Sequence, residues 1–133
     1  MIKARQGKEV VVRTANKIGE LAKLAKVVAE RGVNVSAVSA WIEGAEAVIR
    51  LVTDDTLRTV DVLRDKGYKP QEQAVVLVDA RQKPGILRHL TDVLSKENID
   101  LSHLFASAII NQDVCLIVLN SSDNDRAITV LNR

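Results

Sequence analysis

Aromatic side chains are nearly missing: Trp41, Tyr68 and Phe105 are the only three among 133 residues. Any core must therefore be aliphatic, built from Val, Leu, Ile and Ala, and the chain has no platform of rings on which nucleic-acid bases would stack. Cys115 is the single cysteine, which excludes an internal disulfide and any C-x-x-C metal or redox pair. Within "DVCLIVLN" it reads as a small buried hydrophobe. The two histidines, His89 and His103, fall in different segments and read as solvated side chains rather than ligands. No apolar run approaches the ~18 residues of a membrane span, and "MIKARQGKE" lacks the apolar stretch of a signal peptide. The expectation is a cytoplasmic protein with no membrane partner and no bound metal or cofactor. Charge of one sign is missing too. The 19 basic and 17 acidic residues nearly cancel to +2 and are interspersed, which leaves no electrostatic footprint for nucleic acid.

What is present is a duplication. "VVVRTANKIGELAKLAKVVAERGVNVSAVS" lies over "VVLVDARQKPGILRHLTDVLSKENIDLSHLF" at an offset of 66, with Gly19 over Gly85 and Asn34 over Asp100. The offset becomes 67 at Ala47 and Val114, which implies one extra residue in a hairpin of the second copy, and 68 at Val62 and Val130.

In the first copy, "EVVVRT" has the composition and length of a strand, and Ile18, Leu21, Leu24, Ala25 and Val28 then recur at helical spacing. Gly32 stops that helix. "VNVSAVSAWI" and "AEAVIRLVT" are extended runs split by "EG", a hairpin signal. "DDTLRTVDVLRDKG" keeps Leu57, Val60 and Leu63 on one face of a second helix. "YKPQEQ" closes the copy as a short strand, with Pro70 pointing to an edge position. This β-α-β-β-α-β order predicts an α+β fold of the ferredoxin-like kind, with antiparallel sheet and helices on one face. The second copy follows suit: "AVVLVDA", a helix from Pro84 to Glu97, "IDLSHLFASAI", "DVCLIVLN", and the helical "DNDRAITVLNR". Two modules are thus expected, 1–73 and 74–133, the second lacking its last strand at the C-terminus. In the usual strand order that gap bares "AVVLVDA", an edge prone to unwanted pairing unless a further segment or a partner strand covers it.

Catalytic constellations are thin. Glu30, Glu43, Glu46, Asp54 and Asp55 sit where solvated faces and helix caps place carboxylates, and "DARQKPG" is a poor phosphate cradle. "NKIG" and "QKPG" remain, each between the first strand and first helix of its copy. The first helical turn carries N–H groups without intrahelical partners at a positive dipole end, which suits a carboxylate, and a glycine there lets a ligand approach the backbone. The competing reading is that Asn16 and Gln82 merely cap or shape the turn. A helix of ~15 residues carries the chain ~22 Å, so Asn34 lies at the far end of the module from Asn16. Only paired modules would bring such ends together, either within one chain, with Asn16 and Gly19 facing Asp100, or between like modules of two chains, with Asn16 and Gly19 facing Asn34.

At these residues the sequence resembles the ACT domain family of small-molecule regulatory modules. The family signature of a loop like N-x-P-G-x-L, a helix, and G-[VI]-N-[IV] opening the second strand stands here as "NKIGEL" with "GVNV", and as "QKPGIL" with "NIDL". Ile18 replaces the usual proline, and Gln82 and Asp100 replace the two asparagines of the second copy. The resemblance implies amino-acid ligands held by Asn16, Ile18, Gly19 and Asn34, and in the second copy by Gln82, Gly85, Ile86 and Asp100. The first copy looks especially like the serine-binding regulatory domain of phosphoglycerate dehydrogenase. The implied protein is non-enzymatic and allosteric, a homodimer that binds a small amino acid between paired modules and acts on a metabolic enzyme. The alternative is a regulatory subunit that docks an enzyme and keeps vestigial ligand sites.

Overall fold

A computed structural model of the chain describes residues 2–108 and 111–133. Its contacts divide into two compact units, Lys8–Gln73 on the one hand and Ala74–Arg133 with the residues up to Gly7 on the other.

The Lys8–Gln73 unit uses β1 (Ile2–Ala15) from Lys8 onward, α1 (Glu20–Glu30), β2 (Val35–Glu43), β3 (Glu46–Thr53), α2 (Thr56–Asp65) and the first three residues of β4 (Gln71–Arg81), with strand order β2-β3-β1-β4. Antiparallel register sets Val12 opposite Ile49 and Ala40 opposite Ile49 on the other side. Because side chains alternate along a strand, Val10, Val12, Ile49 and Leu51 share one face. On that face they meet Leu24, Val27 and Val28 of α1 and Val60 and Leu63 of α2 in a largely aliphatic core. Each such side chain, fully buried, contributes about 1.5–3 kcal/mol. The buried stripe of α1 is rotated from the expected one: Leu21 and Ala25 face solvent and Val27 faces the core. Leu57 is likewise exposed, since α2 buries Thr59, Val60, Val62 and Leu63 instead. Thr59 enters the core because its hydroxyl is satisfied by Asp55 O and Thr53 Oγ1, both at 2.8 Å.

Both helices of this unit end alike. Gly32 N and Val33 N return to Ala29 O and Val28 O, and Gly67 N and Tyr68 N to Arg64 O and Leu63 O, the paired bonds of a Schellman close. Asp55 caps α2, its carboxylate accepting from Arg58 N at 3.0 Å. Asp55→Ala is expected to cost about 1 kcal/mol of unit stability in urea titration.

The other unit repeats the plan with β4, α3 (Ile86–Lys96), β5 (Leu101–Ala108), β6 (Val114–Ser121) and α4 (Asn124–Leu131). Its strand order is β5-β6-β4-β1, and here the expectation of a missing last strand is corrected: the closing strand is the start of β1, drawn from the opposite end of the chain. β4 therefore lies between β6 and β1 and is not a bare edge. Ala4 is buried in the core with Val76, Val78, Leu90, Leu94, Ile117, Leu119 and Leu131, and Ile2 packs against it. The Asn132 side chain grips Ala4 from both sides, accepting from its N–H at 2.8 Å and donating to its carbonyl at 2.9 Å. Arg5 pairs with Asp79. Gly7 is required by packing, since a Cβ there would lie 2.5 Å from Leu77 Cγ and Cδ1.

Three smaller expectations change. α3 begins at Ile86, not Pro84, because Gly85 takes the N-cap in a left-handed conformation. "YKPQEQ" is not a separate strand, since Gln71–Gln73 run without a break into β4, and Pro70 lies just before it. The hairpin of the second copy holds two extra residues, because Val12 pairs with Ile49 while Val78 pairs with Ile117, so Ala47 corresponds to Cys115. Ile109, expected to end β5, lies outside the described residues. Cys115 is buried in the core, as expected of a small hydrophobe, and His103 is half-buried with its ring 5.2 Å from Phe105. The Arg126 guanidinium, helped by Arg133, holds the Glu97 carboxyl below its ordinary range against a smaller opposing effect of burial.

Candidate functional site

Between β1 and α1 the chain turns through Asn16, Lys17, Ile18 and Gly19. Asn16 N–H donates to Ala45 O at 3.0 Å, Glu20 N–H to Lys17 O at 3.2 Å and Lys23 N–H to Gly19 O at 2.9 Å. The N-cap is Gly19, with φ 87 and no side-chain cap bond, so Asn16 does not cap the helix. A Cβ at Gly19 would meet nothing within 4 Å, so the glycine is demanded by its positive φ and leaves the first turn of α1 open to an approaching group.

That turn opens on a groove of about 430 Å³. Asn16, Lys17 and Gly19 form one end, Leu21 and Ala22 of α1 one wall, and Ala40 and Ile42 of β2 the other, over a floor of Ala47 and Ile49. Glu20 also borders it, but its carboxylate is held by the hydroxyls of Thr14 at 3.2 Å and Tyr68 at 3.4 Å. Burial first, and the Glu20 charge second, push the Tyr68 hydroxyl up, which keeps it a donor. Trp41 also borders the groove, while strand alternation sends its ring toward the other face of β2, where Arg50 lies 5.5 Å from the ring centroid. β2 ends the strand order of its unit, so its outer edge has no neighbouring strand among the described residues.

The structure brings Asn16 and Gly19 together on this groove but not the other residues named for the first copy. Ile18 is fully exposed and does not line it. Asn34 lies beyond the other end of α1, where its N–H donates to Asp54 Oδ1 and its carbonyl accepts from Asp54 N, both at 3.0 Å. With 11 residues, α1 spans about 16 Å, shorter than expected but still far beyond side-chain reach.

In the other unit Gly85 repeats the left-handed N-cap with φ 90. Gln82 N–H donates to Asp113 O at 2.6 Å, and Asp100 repeats the bonds of Asn34, with Ser122 in place of Asp54. The cavity beside Gly85 and Ile86, about 470 Å³, differs in lining: Ile2 and Leu131 supply apolar surface, and Lys83, His89 and Arg133 supply basic groups. Gln82 does not line it, and Asp100 lines a separate depression with Thr91, Ser95 and Asn98. The groove walls Leu21, Ala22, Ala40, Ile42 and Ala47 were not among the sequence candidates. Their signal was available in "VSAVSAWI", which is apolar on both faces although one flank of the strand has no neighbour.

Among the described residues no three His, Cys, Asp or Glu side chains gather as a metal site, and no helix is long and apolar enough to cross a membrane.

Comparison with known proteins turns this geometry into a family. Solved structures with the same fold include a Bacteroides thetaiotaomicron protein, 25% identical with a TM-score of 0.89 over 97% of this chain and 88% of that one. They also include the ligand-free regulatory subunit of aspartate kinase from Thermus thermophilus, 11% identical with a TM-score of 0.69 over 98% and 94% of the two chains. Aspartokinase III of E. coli, solved in complex with aspartate and ADP, is 14% identical with a TM-score of 0.63 over 98% of this chain and 31% of that longer one. No curated protein matches in sequence. The family model for an ACT domain pair matches residues 7–133, nearly the whole length over which the loop, helix and strand pattern repeats, and the chain belongs to that family of ACT domain pairs.

Proposed function

We propose that this protein is a non-enzymatic amino-acid sensor that binds its ligand in the groove beside Gly19 and passes the binding state to a metabolic enzyme. One observation carries the reading: the groove starts at an open helix N-terminus behind a left-handed glycine, which suits a carboxylate, and continues over side-chain-sized space. The fold shared with an aspartate kinase regulatory subunit supports a regulatory role. The ammonium group needs an acceptor beyond Asn16 and Glu20 at the groove end, and Asn34 of the same chain cannot reach it from the far end of α1. In this reading a second copy supplies it, with β2 pairing antiparallel to β2 about a two-fold axis so that Asn34 of each copy approaches the other's Gly19. The open outer edge of β2 and its exposed Val38 and Ile42 support that mode. A docking role inferred from an unclosed second sheet loses its ground, since the residues up to Gly7 close that sheet.

Calorimetry across the common amino acids should show saturable binding by at least one, and Gly19→Leu should abolish it by straining the N-cap and blocking the turn. Asn34→Ala should weaken the same ligand by about 10-fold, the loss of one charge-assisted hydrogen bond. Absence of heat and of thermal shift for all of them would overturn the reading.

A further inference from the structure

The walls of the groove differ sharply from its end. Beyond the loop, the surface a ligand side chain would meet is made by six aliphatic residues, Leu21, Ala22, Ala40, Ile42, Ala47 and Ile49, with Trp41 at its border. The nearest carboxylate, Glu20, borders the groove at its loop end and has Oε1 held by the Thr14 and Tyr68 hydroxyls, so its charge lies beside the loop and not over the apolar floor. A hydroxyl or charge placed over this floor would give up water without gaining a partner, an unfavourable exchange, whereas an aliphatic chain would bury its own surface against the alanines and Ile49. Three of the six are alanine, so the space exists because the side chains are short.

We infer that the first-copy groove selects an amino acid with an apolar side chain, and that Ala22 and Ala40 set the room available to it. The inference rests on the reading of this groove as an amino-acid site, and it departs from the serine that the loop's resemblance alone implies. It belongs to one unit only. At the corresponding positions of the other unit Leu87, Ala106, Ala108, Cys115 and Ile117 keep the apolar character, but Arg88 stands for Ala22, and the cavity beside Gly85 is lined by Lys83, His89 and Arg133 instead. The apolar strand surface is thus shared by both copies, and what is particular to this groove is the alanine in place of Arg88 and the open groove beside the glycine loop.

The test is calorimetry and thermal shift on the full chain with Val, Leu, Ile, Met and Phe against Ser, Thr, Asp and Lys. At least one apolar amino acid should bind about 10-fold or more tighter than every polar one, the discrimination typical of an apolar pocket. Ala22→Leu, on the exposed side of α1, and Ala40→Leu, on the exposed edge strand, should each weaken that ligand by about 10-fold while leaving the melting temperature of the unliganded protein in place. Ala106→Leu, the matching position of β5, should leave its affinity unchanged. Serine, threonine, aspartate or lysine binding as tightly as the best apolar amino acid would overturn the selectivity while the sensor reading stood. Binding indifferent to both Ala22→Leu and Ala40→Leu would place the ligand side chain elsewhere and overturn it too. No binding by any amino acid would remove the inference and the sensor reading together.

Discussion

Arg50→Met is expected to lower the stability of the Lys8–Gln73 unit by about 3–5 kcal/mol, the usual consequence of removing one member of a buried ion pair. Glu9 is wholly buried, and Arg50, itself only 15% exposed in its side chain, pairs with the Glu9 carboxylate. The same guanidinium donates to Gln73 Oε1 at 2.7 Å and lies over Trp41, so one side chain ties β1, β2, β3 and the start of β4. Removing it deprives the buried carboxylate of its cation at a place shielded from water. Thermal unfolding should show a fall of more than about 10 °C for a unit of this size. Glu9→Leu combined with Arg50→Met should recover much of the loss, because most of the penalty belongs to burying the charge without this cation and not to the absent bond. Arg13 provides the contrast. Its contacts with Glu43 and Glu46 at 3.3 and 3.9 Å are half exposed, and Arg13→Met should cost no more than about 1 kcal/mol. If Arg50→Met proved as mild as Arg13→Met, the pair would not be acting as a buried one.

Deleting residues 2–7 is expected to unfold most of the Ala74–Arg133 unit while sparing its neighbour in sequence. The deletion removes buried Ala4, the packed Ile2, both Asn132 bonds and the strand beside β4. Burial and hydrogen bonding of that extent amount to more than about 4 kcal/mol, against a whole stability of order 5–15 kcal/mol for a domain. Hydrogen exchange separates the two units. Amides of Val76, Val78, Ile117 and Leu119 should lose protection, whereas those of Val10, Val12 and Ile49 should keep theirs. Asn132→Ala should give a milder form of the same pattern, costing about 2 kcal/mol. Unchanged protection at Val78 and Ile117 in the deletion would mean that the segment decorates the sheet without supporting it.

The closing strand also marks the limit of what the sequence displays. The duplication, element order and two glycine loops were legible because each has a local signature: Gly19 and Gly85 precede helical periodicity, and the valine runs of β1, β3, β4 and β6 are of strand length. "IKARQG" has no such signature. Of its six residues only Ala4 is fully buried, and an alanine between Lys3 and Arg5 looks like a solvated leader. Its strand character comes from Asn132 and β4, which are remote in sequence. The groove was hidden for a related reason. Leu21 and Ala25 fit the helical stripe on paper, yet α1 is seated by Leu24, Val27 and Val28, and the rotation that follows turns Leu21 and Ala22 outward beside β2. Periodicity gives the existence of a face, and only packing decides which of two adjacent apolar rows is buried.

The grip of Asn132 on Ala4 joins residues 128 positions apart. On a ribosome the strand that completes the later unit is made before every other strand of that unit, and it must wait until Asn132, 128 positions later, has appeared. The Lys8–Gln73 unit has no such wait. Folding should therefore proceed in two steps of different speed, a rapid one within the early unit and a slower one limited by closure of that long loop, as expected when essential contacts are distant in sequence.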